Sequence, residues 1–507
     1  MRLYNTRTRS VEELEPLDRQ QVRMYVCGLT PSADAHLGHA RSFLFFDVLR
    51  RFLIFRGMRV TFVQNVTDID DRSIATAQAE GVSWREVVNR YFGSFKASMR
   101  RMHVLEPDVE PRATGYITPI VAMIEELIRR GFAYVAPDAV YYRVKAFPRY
   151  GALAHRNLEE LMIGARIEPG EGKQDPLDFA LWKFAKPGEP EWPAPWGAGR
   201  PGWHIECSAM SDALLGVPFD VHGGGLDLIF PHHENEIAQS EPLMEHPPMA
   251  NFWVHGGLLE FDGRKMSKSL GNFEPLSALL DRHDAQAIRW LFLMTGYRKP
   301  MNFREDAIAG ATVALGRMYD AYDALRETPP SDDDSRPAGS VKAYRERFVA
   351  ALEDDMNTAG AVSVLFDLAG SARDLIAAGA ASEAAAFLHE AMSVLGVSPN
   401  ERTLPRRPPT VLSARSLDVA GKPFALSGPQ DPELPGELVA QLRPLVEPAV
   451  SLNGCAPREA VERTILARAA AKARRDFASA DDLRRALAAV GITLVDTKEG
   501  ATWSLSH

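Results

Sequence analysis

Apolar side chains recur at two spacings along this chain, and the switches between them mark the elements. Residues 22–27 form a short apolar strand. Residues 37–56 then carry Phe43, Phe46, Leu49 and Leu53 at helical spacing, and Gly57 stands where a helix C-cap belongs. Residues 60–66 read as a second strand. Strand, loop, helix, strand predicts a parallel pair with a right-handed crossover, and so an α/β fold. In such sheets ligands bind beyond the carboxyl ends of the strands, where a helix N-terminus offers N–H groups to a phosphate. After Asn302-Phe303-Arg304 the spacing becomes helical: 307–326, 341–353, 359–377 and 382–395 predict a bundle of amphipathic helices. Pro405, Pro408 and Pro409 open a Pro- and Gly-rich stretch that runs to about Cys455 and predicts a linker or small irregular insert. The tail returns to helix at 459–473 and 479–490, with a short strand at 491–496.

At 507 residues the chain exceeds one ordinary domain, and 46% apolar content allows a large core. A net charge of -9 means that any nucleic-acid contact must use local basic patches. Only 3 cysteines argue for a reducing compartment and against a disulfide framework. Glu12, Glu13, Glu15 and Asp18 occupy the N-terminal stretch where a signal peptide would be basic and then apolar. No uncharged apolar run is long enough to span a bilayer. The expectation is a soluble, cytoplasmic protein.

His36 and His39 flank Gly38 at the start of the first helix, where imidazoles can donate to phosphoryl oxygens. Alone, two nearby histidines fit a solvated surface equally well. Arg264-Lys265-Met266-Ser267-Lys268-Ser269 follows an Asp262-Gly263 turn signal and precedes Gly271-Asn272. Alone, it fits a solvated basic loop. In this order, the two stretches resemble the paired signatures of class I aminoacyl-tRNA synthetases. Cys27, Cys207, His232 and Glu236 supply two thiols, an imidazole and a carboxylate, and the last two are four apart, on one helical face. No spacing among them matches a contiguous zinc motif, so the residues alone leave the metal open. Trp203 to Met210, His222 to Glu236 and Lys265 to Asn272 resemble the cysteinyl-tRNA synthetases in particular. The likeness runs from Leu3 to about Leu395 and resumes from about Glu459 to Trp503.

That resemblance implies a Rossmann-type parallel-sheet catalytic domain at 1–305 with an insertion at about 72–200. It further implies a helical bundle at 306–396 that supports the tRNA, and a small α+β anticodon-binding domain at 456–507, with 397–455 as the linker. His36, Gly38, His39 and Lys268 would hold ATP, Lys268 with the main role and Lys265 supporting it. Thr67 would lie near the amino-acid pocket, Trp203 would pack against the substrate, and Asp227 would hold its ammonium. Cys27, Cys207, His232 and Glu236 would bind one zinc, and magnesium would accompany ATP. The carboxylates of Asp68, Asp70 and Asp71 fit a metal site or a helix cap and turn. The expected partners are tRNA(Cys), L-cysteine and ATP, with no membrane and the chain acting as a monomer.

The insertion is too small for a hydrolytic editing domain, which has a chemical explanation. A pocket that reads shape alone separates close analogues by about 10–200-fold. Zinc bonded to the substrate thiolate separates cysteine from serine directly. Arg463, Arg468, Lys472, Arg474, Arg475, Arg484 and Arg485 make a basic cluster in an acidic protein, with Trp503 as a candidate to stack on a base. A solvated helix face explains the arginines as well; the resemblance favours an anticodon contact.

Two departures stand out. Cys27-Gly28-Leu29-Thr30-Pro31-Ser32 replaces the family's Cys-Gly-Pro-Thr-Val-Tyr, and Leu37 replaces an isoleucine at conserved volume and chemistry. The main rival family, the cysteine:glucosaminyl-inositol ligases of mycothiol synthesis, shares these site residues but lacks the C-terminal tail. A third reading, a tRNA-binding paralogue without catalysis, is disfavoured by His36, His39, Lys265 and Lys268.

Overall fold

Strand Gln21–Leu29 is the hub, because its alternating side chains feed two different cores. Val22, Met24 and Val26 pack with Phe43, Phe46, Leu49 and Leu53 of helix Leu37–Phe55. Tyr25 and Cys27 point to the other face, into a core shared with Cys207 and Met210 of helix Trp203–Leu215. On one side the hub pairs parallel with Arg59–Val66, in register Met24↔Phe62. On the other it pairs parallel with Phe219–Gly225, in register Met24↔Val221, and that strand pairs parallel with Ala250–Gly256. The chain therefore steps first to one side of the hub and later to the other. Such a reversal creates a crevice at the carboxyl ends of Gln21–Leu29 and Phe219–Gly225.

This computed structural model describes residues 1–157, 160, 172–261, 264–265, 274–328, 339–401, 412–419, 422–429, 437–447, 450, 452, 457–496 and 500–505. Between the two halves of the parallel sheet lie helices Asp71–Glu80, Trp84–Arg101 and Ile117–Arg129 and a four-stranded antiparallel sheet. Asp70 caps the first of these helices through its side chain, and Asp68 accepts from the Thr114 N–H and hydroxyl. Asp71 is paired with Lys183 and Arg200. The acidic run is thus a cap, a tether and a salt bridge. A further small sheet joins Leu259–Phe261 to Arg264–Lys265 and to Met301–Phe303. The turn pair Asp262-Gly263 and residues 266–273, with Lys268, lie outside the described residues, as does Cys455.

Helices Asp306–Glu327, Gly339–Glu353, Thr358–Gly370, Ala372–Ala377 and Ala381–Val394 follow. The single helix expected at 359–377 is two, broken at Gly370-Ser371, both weak helix formers. Their apolar faces join the same core as the parallel sheet, and the first compact unit runs from Met1 to Leu404.

The second unit, Pro405–His507, corrects two expectations. The stretch read as linker or irregular insert holds a hairpin, Leu412–Val419 with Lys422–Pro429, and a helix, Leu438–Val446. The second hairpin strand pairs parallel with Gly500–Leu505, in register Leu426↔Ala501. The prolines counted as linker cluster ahead of the hairpin, and long-range pairing outweighs the remaining Pro and Gly. Trp503 sits on that last strand and is 1% exposed, packed with Leu442 and Leu487 in the unit's core. It offers no face to a base. The arginine cluster is also largely spent: Arg468 and Lys472 bind Asp496, Arg463 binds Glu459 and Arg485 binds Asp482. Arg474, Arg475 and Arg484 are exposed, and beside them Phe477 is 61% exposed.

Candidate active site

The crevice is floored by a buried cluster of soft and hard donors. Cys27 comes from the end of the hub strand and Cys207 from helix Trp203–Leu215. His232 and Glu236 come from the turn Ile229–His233 and the helix that continues it, Glu234–Ser240. One ligand atom from each of the four lies within 4.8 Å of the others. The two sulfurs are 3.8 Å apart, Cys27 Sγ is 3.6 Å from Glu236 Oε1, and His232 Nε2 is 3.1 Å from that oxygen. The four-residue spacing of His232 and Glu236 does place them on one side.

Two histidines that sequence reasoning passed over complete this cluster. His222 Nε2 lies 2.8 Å from Glu236 Oε2, and His233 Nε2 lies 3.3 Å from Cys27 Sγ. Cys27, His222, His233 and Glu236 therefore form a second set with ligand atoms equally close together. His233 Nδ1 is in turn 2.8 Å from His255 Nε2, and His255 Nδ1 is 2.8 Å from Thr6 Oγ1. The adjacency of His232 and His233 was the available signal for one of them; His222, inside a strand, gave none.

Burial sets the protonation of this cluster. It pushes His232 and His233 far below the ordinary imidazole range, so both are neutral and ligand-ready. It raises the Cys27 and Cys207 thiols, with the neighbouring sulfur and carboxylate adding to the effect at Cys27. Buried thiols and a carboxylate this close are mutually unfavourable as anions. A divalent cation removes that penalty, and the donor set of two sulfurs, one nitrogen and one oxygen suits a four-coordinate metal.

The candidate pocket residues surround this floor. The Trp203 ring stacks on the His232 imidazole at 4.4 Å, and His204 Nδ1 meets His232 Nδ1 at 2.9 Å. Thr67 is buried, its N–H donates to the Leu29 carbonyl (3.1 Å), and its hydroxyl accepts from the Asn65 side-chain amide (3.4 Å). Asp227 is at the exposed lip near His36, where its charge opposes the lowering of the His36 pKa by burial.

At the helix start, the Gly38 N–H donates to His36 Nδ1 (3.1 Å) and the His36 N–H donates to His39 Nδ1 (3.2 Å). The two rings stack at 3.8 Å. Gly38 is required, because a Cβ there would meet the His36 ring at 2.9 Å. Burial, then the nearby His36 and Arg72, hold the His39 pKa at about 3. Both rings are neutral and accept at Nδ1, which leaves their proton on Nε2. The backbone of Lys265 is described, in the strand Arg264–Lys265.

Protein comparisons bear on the whole chain. A protein called "Cysteine--tRNA ligase" from Chromohalobacter salexigens is 44% identical over 507 residues, covering 99% of both chains. The chain belongs to the cysteine–tRNA ligase family. A protein of the same name from Pseudomonas aeruginosa is 43% identical, covering 100% of both chains. The family model described as "tRNA synthetases class I (C) catalytic domain" matches residues 13–313, and a DALR domain matches 347–398, the later part of the helical bundle. The fold agrees with that of Mycobacterium tuberculosis methionyl-tRNA synthetase, at TM-score 0.54 and 16% identity over 74% of this chain and 89% of that one. Thermus thermophilus arginyl-tRNA synthetase is similar at TM-score 0.52 and 13% identity, over 78% of this chain and 84% of that one.

Proposed function

We propose that the chain activates L-cysteine with ATP and transfers the cysteinyl group to the 3′ end of tRNA(Cys). The observation that carries this reading is the buried two-thiol, one-imidazole, one-carboxylate floor at the switch point of the sheet, beside two neutral histidines. Cys27, Cys207, His232 and Glu236 would hold one zinc. When bound, zinc supplies a Lewis acid with a preference for sulfur over the hydroxyl of serine. Trp203 packs over the side chain of the substrate, Thr67 lines the pocket and Asp227 takes the ammonium. Nε2–H of His36 and His39 donates to phosphate oxygens of magnesium-bound ATP, and Gly38 lets the nucleotide approach the helix start. Lys265 and Lys268 stabilise charge that develops on the phosphates as the substrate carboxylate attacks the α-phosphorus and pyrophosphate leaves. A ribose hydroxyl at the tRNA 3′ end then attacks the acyl carbonyl, and AMP leaves.

Arg474, Arg475, Arg484 and the exposed Phe477 form the tRNA-facing patch of the C-terminal unit, in place of the buried Trp503. The likeness to the Pseudomonas aeruginosa relative covers 100% of this chain, residues 405–507 included, and supports tRNA over an amino sugar as acceptor. We place the chain in the cytoplasm as a monomer; its few cysteines, two of them in the site, suit a reducing compartment. A chain ended at Leu404 tests the reading of the acceptor. That end keeps Val397 in the core and the bonds of Gln286 with Ser398 and Glu401. Cysteine-dependent pyrophosphate exchange should survive, and charging of tRNA(Cys) should fall steeply. Charging that is unchanged by the cut, or acylation of an amino sugar instead of tRNA by the full chain, would overturn it.

A further inference from the structure

Arg41 stands two residues beyond His39 on helix Leu37–Phe55, and its guanidinium is buried. Its four hydrogen bonds all go to main-chain carbonyls of other segments. Nη1 donates to Gly257 O (3.0 Å) and Leu258 O (2.7 Å). Nη2 donates to Lys299 O (2.5 Å) and Gly296 O (3.4 Å). Among the described residues no carboxylate forms an ion pair with it, and burial brings its pKa down to about 10. A buried cation of this kind is costly unless its donors are satisfied, so it fixes the carbonyls that satisfy it.

Those carbonyls stand at the entrances to the small sheet that carries Lys265. Gly257 and Leu258 lead into Leu259–Phe261, which pairs with Arg264–Lys265. Residues 296–299 lead into Met301–Phe303, the parallel neighbour of Leu259–Phe261. The Gly257 N–H donates to Tyr297 O (2.7 Å), and the Tyr297 ring stacks on Phe45 of the same helix at 3.9 Å. Gly257 has no space for a side chain: a Cβ would lie 2.7 Å from the carbonyl oxygens of Arg298 and Lys299.

We infer that Arg41 is a positioning residue for adenylate formation, fixing the sheet that carries Lys265 against the helix that carries His36 and His39. The lysine and the histidines then meet the same triphosphate. A planar fork with several donors serves two segments at once, whereas an ammonium on a flexible stem serves one. This inference rests on the reading of Lys265, His36 and His39 as phosphate-binding groups.

The test compares Arg41→Lys and Arg41→Met with the wild type in ATP–pyrophosphate exchange, with rates normalised to active sites. Misplacing reacting groups by about an ångström costs on the order of 10²-fold. The kcat should fall about tenfold in Arg41→Lys and about a hundredfold in Arg41→Met, towards that limit. KM for cysteine, and cysteine affinity measured by tryptophan fluorescence, should stay near wild type. Gly257→Ala, which pushes aside the Lys299 carbonyl that Arg41 binds, should reproduce the loss in kcat, and combined with Arg41→Met it should add little. A purely structural role lowers the melting temperature and the active fraction but leaves the rate per active site intact. That result overturns the inference, as does a loss of cysteine affinity equal to the loss of kcat. If Arg41→Met does not fold, Arg41→Lys and Gly257→Ala decide by the same criteria. A wild type without cysteine-dependent exchange overturns the functional reading itself, a result distinct from exchange that survives the loss of Arg41.

Discussion

Two four-residue sets share Cys27 and Glu236, and substitution can tell which one holds the metal. The first set adds Cys207 and His232; the second adds His222 and His233. In Cys207→Ser a hydroxyl, a poor zinc ligand at neutral pH, replaces a thiol in nearly the same volume. Structural zinc sites contribute about 10–16 kcal/mol over four ligands. One ligand in four is then about 3 kcal/mol, or about a hundredfold in affinity. His222 belongs to the other set, but in the first set it acts only by holding Glu236 Oε2 at 2.8 Å. Loss of such an outer partner costs about 10–100-fold. His222→Gln keeps an N–H for that oxygen, so it should cost less than about tenfold. The assay is zinc competition against a chromophoric chelator, with cysteine-dependent pyrophosphate exchange measured on the same preparations. Cys207→Ser should lose zinc and exchange together, and His222→Gln should keep both. The opposite pattern, with zinc lost in His222→Gln and kept in Cys207→Ser, would refute the assignment and move the metal to the second set.

Three more outcomes follow from the site. Lys268→Ala should slow single-turnover adenylate formation on the order of 10²-fold, as when a group that stabilises developing charge is removed, with cysteine affinity unchanged; the reverse pattern contradicts the assigned role. Phe477→Ala should raise KM for tRNA(Cys) about tenfold, the scale of one lost base stack, and leave pyrophosphate exchange untouched; unchanged charging kinetics would remove Phe477 from the tRNA-facing patch. With its pKa depressed to about 3, His39 stays neutral in the folded chain while the unfolded chain takes up a proton at about 6.5. Its contribution to stability is therefore complete above about pH 6.5 and falls as pH drops toward about 3, and exchange should show no His39 limb near neutrality; a limb near pH 6.5 that vanishes in His39→Asn contradicts this.

The parts of this protein that were legible in the sequence are those where chemistry restricts the residue type. Cys27, Cys207, His232 and Glu236 showed no contiguous spacing, and it was the resemblance that grouped them; the fold brings one ligand atom of each within 4.8 Å of the others. The strand–loop–helix–strand start was readable because both periodicities are strong there. Trp503 misled because an aromatic near a chain end looks available to a partner, while its strand turns it into a core. The 397–455 stretch misled because proline and glycine content is a local signal, and the pairing of Lys422–Pro429 with Gly500–Leu505 is not. His222 and Arg41 carried no spacing signal at all. Each acts through a partner that no periodicity links to it: His222 through Glu236, 14 residues on, and Arg41 through the carbonyls of 257–258 and 296–299, far along the chain.

The central claim is that this chain activates cysteine and distinguishes it by its sulfur. It is tested most directly by ATP–pyrophosphate exchange with cysteine and serine side by side, in metal-replete protein and in protein stripped by a chelator. The account predicts exchange with cysteine alone, lost on stripping and restored by zinc. Comparable exchange with serine, or full exchange with cysteine after the metal has been removed, would contradict it.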